Sequence, residues 1–358
     1  MPKHVVTLIP GDGIGPEVCA ATQEILAATG ADIGWEVKEA GAEVAQVRGT
    51  TLPDDVLESI RKNKVALKGP IGTPIGKGFR SVNVQIRQDL ALFASLRPVK
   101  SLPGISTPFT SAPAGRGGFP GGGAVDVVIV RENTEGMYTG IEHQILPGVC
   151  EAVKIITEEA STRICEFAFE YAEKMGYPRV TIVHKANIMK KTDGLFLECG
   201  RAAGRRHPRI ETAEMIVDNC AMNMVRNPNR LGVIVTENLY GDILSDLAAG
   251  LVGGLGIVPG ANIGKDIAVF EAVHGSAPDI AGKGLANPTA LLQSAVLMLD
   301  HLGEHECARK VERGIRDVFE RDLARTVDLG GRSSTKEFTA AVITAMNAPP
   351  MSQRPPPA

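Results

Sequence analysis

The sequence predicts an α/β protein, built as two lobes or one large unit. Three observations carry this. Short β-branched apolar runs alternate with longer helix-length patterns along most of the chain. Several of these runs end in a glycine turn or a dense polar cluster, which is how α/β folds bring ligand-binding groups to strand ends. The 358 residues are 44% hydrophobic and 22% charged, enough apolar material for a large core. The net charge of −3 leaves no basic footprint for nucleic acid. No apolar run reaches transmembrane length, and Met1 to Val5 lead straight into a strand, so neither a membrane span nor a secretory signal is read. Cys19, Cys150, Cys165, Cys199, Cys220 and Cys307 are scattered without a C-x-x-C pair and read as free thiols in a reducing cytoplasm.

Val5 to Ile9 reads as a strand ending at Pro10-Gly11-Asp12-Gly13-Ile14-Gly15-Pro16-Glu17, with a helix to about Ala28. Strand, glycine turn and helix suit a nucleotide-binding loop. The spacing departs from G-x-G-x-x-G, however, and no ribose-binding acid follows, which favours a tight turn beside a ligand cleft over a Rossmann site. Next come a strand over 35–40, a helix over 53–63, the strand Val65 to Lys68 and a loop over 69–78. Ser81 to Leu92 reads as a helix with Ser81 near its N-cap, and Asn83 and Arg87 share a face. That group suits a carboxylate, and reads equally as a capped helix with a surface arginine.

Phe93 to Val99 is a strand carrying Arg97, which must find an anion or leave the sheet. Residues 101–123 read as a mobile Gly/Pro/Ser loop. The strand 124–130 empties into the polar run Arg131 to His143. A helix over 156–175 precedes the strand 179–183, which ends in His184-Lys185-Ala186-Asn187. A further helix covers 193–205, and another begins around Asp218. Leu231 to Val235 reads as a buried strand, followed by a turn at Gly241 and a helix. Asp242 and Asp246, four apart at its start, leave one face. They suit a hard divalent cation, and read equally as acids favoured by the helix dipole. Residues 257–264 read as loop, 268–271 as a strand, and three helices run to about 345 before a disordered Pro-rich tail over 347–358.

Arginines, aspartates and the pair Tyr138 and Lys185 recur at strand ends. If they converge, they describe metal-assisted proton transfer on a hydroxy-polycarboxylate. At this point the chain resembles the β-decarboxylating dehydrogenases: the isocitrate, isopropylmalate and homoisocitrate enzymes. The likeness runs from Gly11-Asp12-Gly13-Ile14-Gly15-Pro16-Glu17, through Asn238-Leu239-Tyr240-Gly241-Asp242 and Asn287-Pro288-Thr289-Ala290, to Asp328-Leu329-Gly330-Gly331.

The resemblance implies a non-Rossmann α/β fold. Its discontinuous large domain would comprise 1–98 and 253–346, and its smaller dimerisation domain 99–252. It implies a homodimer with shared active sites, a tetramer being the alternative. Ser81, Asn83, Arg87, Arg97 and Arg131 would bind substrate carboxylates. Asp242 and Asp246, with Asp218 of the partner subunit, would bind Mg²⁺ or Mn²⁺. Tyr138 and Lys185, the latter from the partner, would move protons. Ile14, Thr73, Asn187, His274, Gly275, Ser276, Ala277, Asp279, Ile280 and Asn287 would contact the cofactor. NADP-using relatives place Lys-Tyr where this chain has Asp279-Ile280, and the Asp279 carboxylate would repel a 2′-phosphate, so NAD is expected. Ser81 and Asn83 resemble the isocitrate type and argue against an apolar isopropyl pocket. The expected reaction is oxidation and decarboxylation of isocitrate to 2-oxoglutarate. The alternatives are homoisocitrate as substrate, and a non-catalytic regulatory subunit.

Overall fold

The computed structural model describes residues 2–72, 81–107, 109–110 and 123–349. Strand β1 (His4–Ile9) runs through a glycine turn into α1 (Gly15–Thr29). Gly11 and Gly13 take φ of 77° and 61°. A Cβ on Gly13 would stand 2.0 Å from the Ser276 carbonyl oxygen, and one on Gly11 2.2 Å from that of Pro70. These glycines let two other loops close onto the turn, so the tight-turn reading holds. Then come β2 (Ile33–Val37), α2 (Ala42–Arg48), α3 (Asp54–Asn63) and β3 (Val65–Lys68). Strand β2 begins two residues before its expected start, because its register on β1 runs from His4↔Ile33 to Leu8↔Val37. Helix α2 buries no residue and so carries no apolar stripe to announce it.

Ser81 is the N-cap residue of α4 (Val82–Asp89), followed by β4 (Ala94–Lys100) and β5 (Asp126–Glu132). The hairpin β6 (Glu142–Leu146) and β7 (Val149–Ala152) was not expected, and every residue in it is exposed. Helix α5 (Glu158–Met175), β8 (Arg179–His184), α6 (Thr192–Arg206), β9 (Glu211–Ile216) and α7 (Val217–Arg226) follow. Next are β10 (Val233–Thr236), α8 (Asn238–Val252), β11 (Pro259–Ile263) and β12 (Ala268–Ala272). Gly241 lies inside α8 and not at a turn before it. A Cβ there would come 2.5 Å from Arg131 Cγ, so the glycine is needed for helix-to-arginine packing. Strand β11, expected as loop, pairs on both sides, with β12 and β4. Helices α9 (Thr289–His301), α10 (His305–Glu320) and α11 (Thr335–Asn347) close the described chain. Thr73, most of the Gly-rich stretch and the tail from 350 lie outside the described residues.

Among the described residues ten strands form one sheet, ordered β2-β1-β3-β12-β11-β4-β5-β10-β8-β9. The set β2, β1, β3 and β12 is parallel, and so is the set β5, β10, β8 and β9. Antiparallel β11 and β4 between them make the two sets run in opposite directions. That reversal separates the fold from a doubly wound parallel sheet. Helices cover both faces: α5 lies on β5, β8 and β10 and α9 on β3, β11 and β12 on one side, and α8 packs on β4 and β5 on the other.

Candidate active site

The centre of the sheet, where strand direction reverses, is unusually polar on one face. Asn262, Ser95 and Arg131 are register partners across β11, β4 and β5. Lys68 and Glu271 are partners across β3 and β12. Side chains alternate along a strand, so Ser95, Arg97, Asn262, Glu271 and Arg131 share this face while Leu96, Ala261 and Phe270 take the other. Lys68 Nζ lies 2.6 Å from Glu271 Oε2, and Arg87 Nη2 reaches down from α4 to Glu271 Oε1 at 2.9 Å. Asn262 Nδ2 donates to the same oxygen at 2.7 Å. Burial pushes the Glu271 carboxyl up, but Lys68 and Arg87 outweigh it and hold the group well below the usual carboxylate range.

Arg97 is 5% exposed and Arg131 1% exposed. Arg97 donates to Ser95 Oγ at 3.3 Å and to Ser245 Oγ at 2.5 Å, with Asp242 and Asp246 at 3.6 and 3.7 Å. Burial, then the charges of Arg131 and Arg87, pull its pKa down to about 10. Arg131 Nε and Nη2 both donate to Asn238 Oδ1, at 3.0 and 2.7 Å, and Nη1 pairs with Asp242. Guanidinium groups that depress one another mark a place that gains from an anion. The buried Asn83 Oδ1 and Arg87 Nε above this floor have no hydrogen-bond partner among the described residues. Unpaired buried polar atoms of this kind call for a polar ligand.

Asp242 and Asp246 lie on one face of α8, as their spacing predicts. Glu237 caps that helix, accepting from the Leu239 and Tyr240 amides at 3.1 Å each. Tyr138, on a short 3₁₀ turn, donates to Asp242 Oδ2 at 2.6 Å, and its ring lies 5.0 Å from the Arg131 guanidinium. Burial and the Asp242 bond push the Tyr138 hydroxyl above its usual value, so it is protonated at neutral pH. Burial also raises Asp242, but Arg131 and Tyr138 outweigh it and the group ends lowered. Burial raises Asp246 against the pull of Arg97, and Asp242 adds to the rise. Two carboxylates that repel across one helix turn form a place where a divalent cation fits.

Lys185 and Asp218 stand elsewhere, as an ion pair at the ends of β8 and β9. The Lys185 bond lowers the Asp218 carboxyl. Among the described residues no cluster of three metal-ligating side chains exists, so Asp218 does not join Asp242 and Asp246 within one chain. The turn after β8 is held partly by His184, whose Nδ1 accepts the Ala186 amide at 3.0 Å. Burial lowers the His184 pKa below 6.5. The unfolded chain therefore takes up this proton first as pH falls, and stability is lost from about pH 6.5 downward. Melting temperatures measured between pH 7.5 and 5.5 should fall, and His184→Gln should flatten the fall.

A cleft of about 570 Å³ is lined by Ile14, His274, Gly275, Ala277, Ile280, Leu285, Asn287 and Asp328, among others. The Ile14 amide donates to the Ser276 carbonyl at 2.9 Å, which seats the 274–280 loop on the glycine turn. His274 also lines the polar floor, so the cleft and the floor share a wall. Its buried Nε2 has no hydrogen-bond partner among the described residues, and burial lowers its pKa. Asn287 donates to Asp328 at 2.9 Å and accepts the Thr289 amide at 3.0 Å. Asp279 is exposed on the same loop, outside the lining. Asn187 is exposed on the Lys185 turn and does not line the cleft.

Sequence reading missed Lys68, Ser95, Asn238, Ser245, Asn262 and Glu271. The signal for Lys68 and Glu271 was a charged residue inside an otherwise apolar strand, the same that singled out Arg97. Asn238 and Ser245 carry no such signal.

Fold and site together define an α/β protein with a buried cationic floor, an acidic helix beside it and an adjoining cleft. The isocitrate/isopropylmalate dehydrogenase family model matches residues 5–342, and the chain belongs to that family. It is 51% identical to a mitochondrial isocitrate dehydrogenase [NAD] catalytic subunit 5 from Arabidopsis thaliana, over 94% of this chain and 87% of that one. It is also 51% identical to a chloroplastic 3-isopropylmalate dehydrogenase from Solanum tuberosum, over 86% and 83% of the two chains. The crystal structure of isocitrate dehydrogenase from Methylococcus capsulatus superposes with a TM-score of 0.90 at 48% identity, covering 96% of this chain and all of that one. The expected cytoplasmic location is overturned: isocitrate dehydrogenase relatives at 47–51% identity are named mitochondrial. Free thiols report a reducing environment and not which compartment supplies it. Among the described residues no helix is long and apolar enough to cross a membrane.

Proposed function

We propose that the protein oxidises and decarboxylates isocitrate to 2-oxoglutarate with reduction of NAD, aided by Mg²⁺ or Mn²⁺. The observation that carries this is the buried pair Arg97 and Arg131, facing the Tyr138–Asp242 hydrogen bond across one polar floor. Arg97, Arg131 and Arg87 hold the substrate carboxylates, with Ser81 and Asn83 at the γ-carboxylate. Asn83 favours isocitrate over isopropylmalate, since an apolar branch there would leave its buried Oδ1 without a partner, and Ser81 adds a polar group beside it. Asp242 and Asp246, with Asp218 of the partner subunit, hold the cation, which when bound lowers the pKa of the substrate hydroxyl and steadies developing negative charge. Lys185, also from the partner, assists removal of the hydroxyl proton. Tyr138, kept protonated, donates its proton to the carbon that loses the carboxylate. Ile14, Thr73, Asn187, His274, Gly275, Ser276, Ala277, Asp279, Ile280 and Asn287 receive NAD.

A homodimer is part of this proposal. The hairpin β6–β7 exposes Ile145, Leu146 and Val149, α7 exposes Met222, and α8 exposes Ile243 beside Asp242. Exposed apolar side chains on these elements suit a partner subunit. We take 99–252 as the domain that dimerises. We take 1–98 and 253–346 as the larger domain, a reading supported by β1–β3 and β11–β12, from the two ends of the chain, lying side by side.

The test is NADH formation by the purified protein with isocitrate, homoisocitrate and 3-isopropylmalate, with and without Mg²⁺, and with NADP in parallel. Dominant metal-dependent turnover of isocitrate with NAD is expected. Preference for homoisocitrate overturns the γ-carboxylate assignment, and no turnover with any pair points to a regulatory subunit. Asp279→Lys with Ile280→Tyr should raise the NADP-to-NAD ratio of kcat/KM about tenfold or more, roughly 1.4 kcal/mol, by replacing repulsion of a 2′-phosphate with attraction. An unchanged ratio would show that Asp279 does not face the ribose.

A further inference from the structure

Lys185 lies on an exposed turn, yet a general base must be held in place to act. The turn is tied down from beneath by a buried polar chain that the reaction as described leaves unused. Asp193, second residue of α6, is 1% exposed. Its Oδ2 accepts the Lys185 amide at 2.6 Å, and its Oδ1 accepts Lys154 Nζ, also at 2.6 Å. Lys154 Nζ lies 3.6 Å from Glu237 Oε1 and 4.5 Å from the Tyr240 ring centre. Glu237 is the N-cap of α8. One ammonium thus sits between two buried carboxylates. One of these holds the backbone of Lys185, and the other starts the helix that carries Asp242 and Asp246. Removing Lys154 would leave two buried carboxylates without their shared cation, and removing Asp193 would take away the acceptor of the Lys185 amide.

We propose that Asp193 and Lys154 are positioning residues that fix Lys185 relative to α8, so that each chain presents its Lys185 to the partner's active site while its own Asp242 and Asp246 serve its own. This rests on the shared-site reading above. It makes Asp193 a residue whose loss damages the site across the interface and spares the site in its own chain.

Mixed dimers test it. Asp193→Ala homodimers should lose about 10- to 100-fold in kcat, the range a small misplacement of a reacting group produces. KM for isocitrate should stay within about threefold, because Arg97 and Arg131 are untouched. Asp193→Asn keeps an oxygen for the Lys185 amide and should lose less. Asp246→Asn homodimers should be inactive. Co-expressed with two affinity tags, Asp193→Ala and Asp246→Asn chains form a dimer in which one site combines an intact Lys185 turn with an intact acidic pair. That dimer should recover about half of wild-type kcat. Recovery no greater than the Asp193→Ala parent overturns the proposal, since Asp193 then acts within its own site or on folding alone. If Asp193→Ala fails to assemble, Asp193→Asn takes its place in the same mixture with the same two outcomes. A parallel mixture of Lys185→Ala with Asp246→Asn separates the two readings. If it also fails to recover, the shared site itself is wrong; if it recovers while the Asp193 mixture does not, only the positioning role falls.

Discussion

Replacing Tyr138 with phenylalanine should lower kcat about 10²- to 10⁴-fold, the usual contribution of a positioned general acid. The ring stays, so its stacking beneath Arg131 at 5.0 Å stays as well. What is lost is the hydroxyl that donates to Asp242 at 2.6 Å. Asp242 keeps Arg131, so neither the fold nor the acidic helix loses an essential partner. The KM for isocitrate should therefore move little, which separates loss of the acid from loss of binding. Steady-state kinetics with a melting curve on the same preparation check both parts. A variant with near-normal kcat would remove Tyr138 from the reaction. Because burial and Asp242 push the hydroxyl above its ordinary 10, wild-type activity should not fall through loss of this proton below that pH.

Lys68→Met should destabilise the protein by about 3–5 kcal/mol, the cost of leaving one buried partner of an ion pair alone. Lys68 is 2% exposed and its ammonium touches Glu271 and the Gly69 carbonyl. Glu271 would keep Arg87 and Asn262 but lose its nearest cation. The melting temperature should drop by roughly 4–7 °C. The double variant Lys68→Met with Glu271→Gln should recover part of the loss, because residue 271 is then neutral and its amide oxygen can still accept from Arg87. A double variant no better than Lys68→Met would show that the pair is not the source of the cost. The pH dependence has a definite sign. Glu271 is held well below its ordinary 4.5, so its contribution is present above that value and is lost as pH falls toward the lowered one. The single variant should be less sensitive to acid than the wild type over that window.

Much of this molecule was legible in order along the chain. The β-branched runs became strands, with Val65–Lys68 matching to the residue. The period of four placed Asp242 and Asp246 on one face, and both meet Arg97. Arg97 itself was flagged by chemistry alone, because a guanidinium inside an apolar strand must be paired. The misses have a common cause. Helix α2 and the hairpin β6–β7 bury nothing in their own chain, so hydrophobic periodicity had nothing to report. Strand β11, Pro-Gly-Ala-Asn-Ile, has a single β-forming residue, Ile263, and is a strand because both neighbours supply hydrogen bonds.

By itself the sequence determined the type of the elements that bury an apolar face, the α/β class and the family, since these follow from local periodicity and from motifs that need no partner. It also determined which residues carry charge into apolar surroundings. Only the tertiary structure decided that the two parallel strand sets run in opposite directions, which places the polar floor in the middle of the sheet. Only it decided that Gly241 serves packing against Arg131 and not a turn, and that Lys68 and Glu271 join Arg87 in one buried network. These are contacts between residues up to about two hundred positions apart, as with Lys68 and Glu271, and no local pattern encodes which distant strand will lie alongside. The separation of Lys185 and Asp218 from Asp242 and Asp246 belongs to the same class. It follows from how α6, α7 and α8 are hung from the sheet, and it is what makes one chain an incomplete site in the function proposed here.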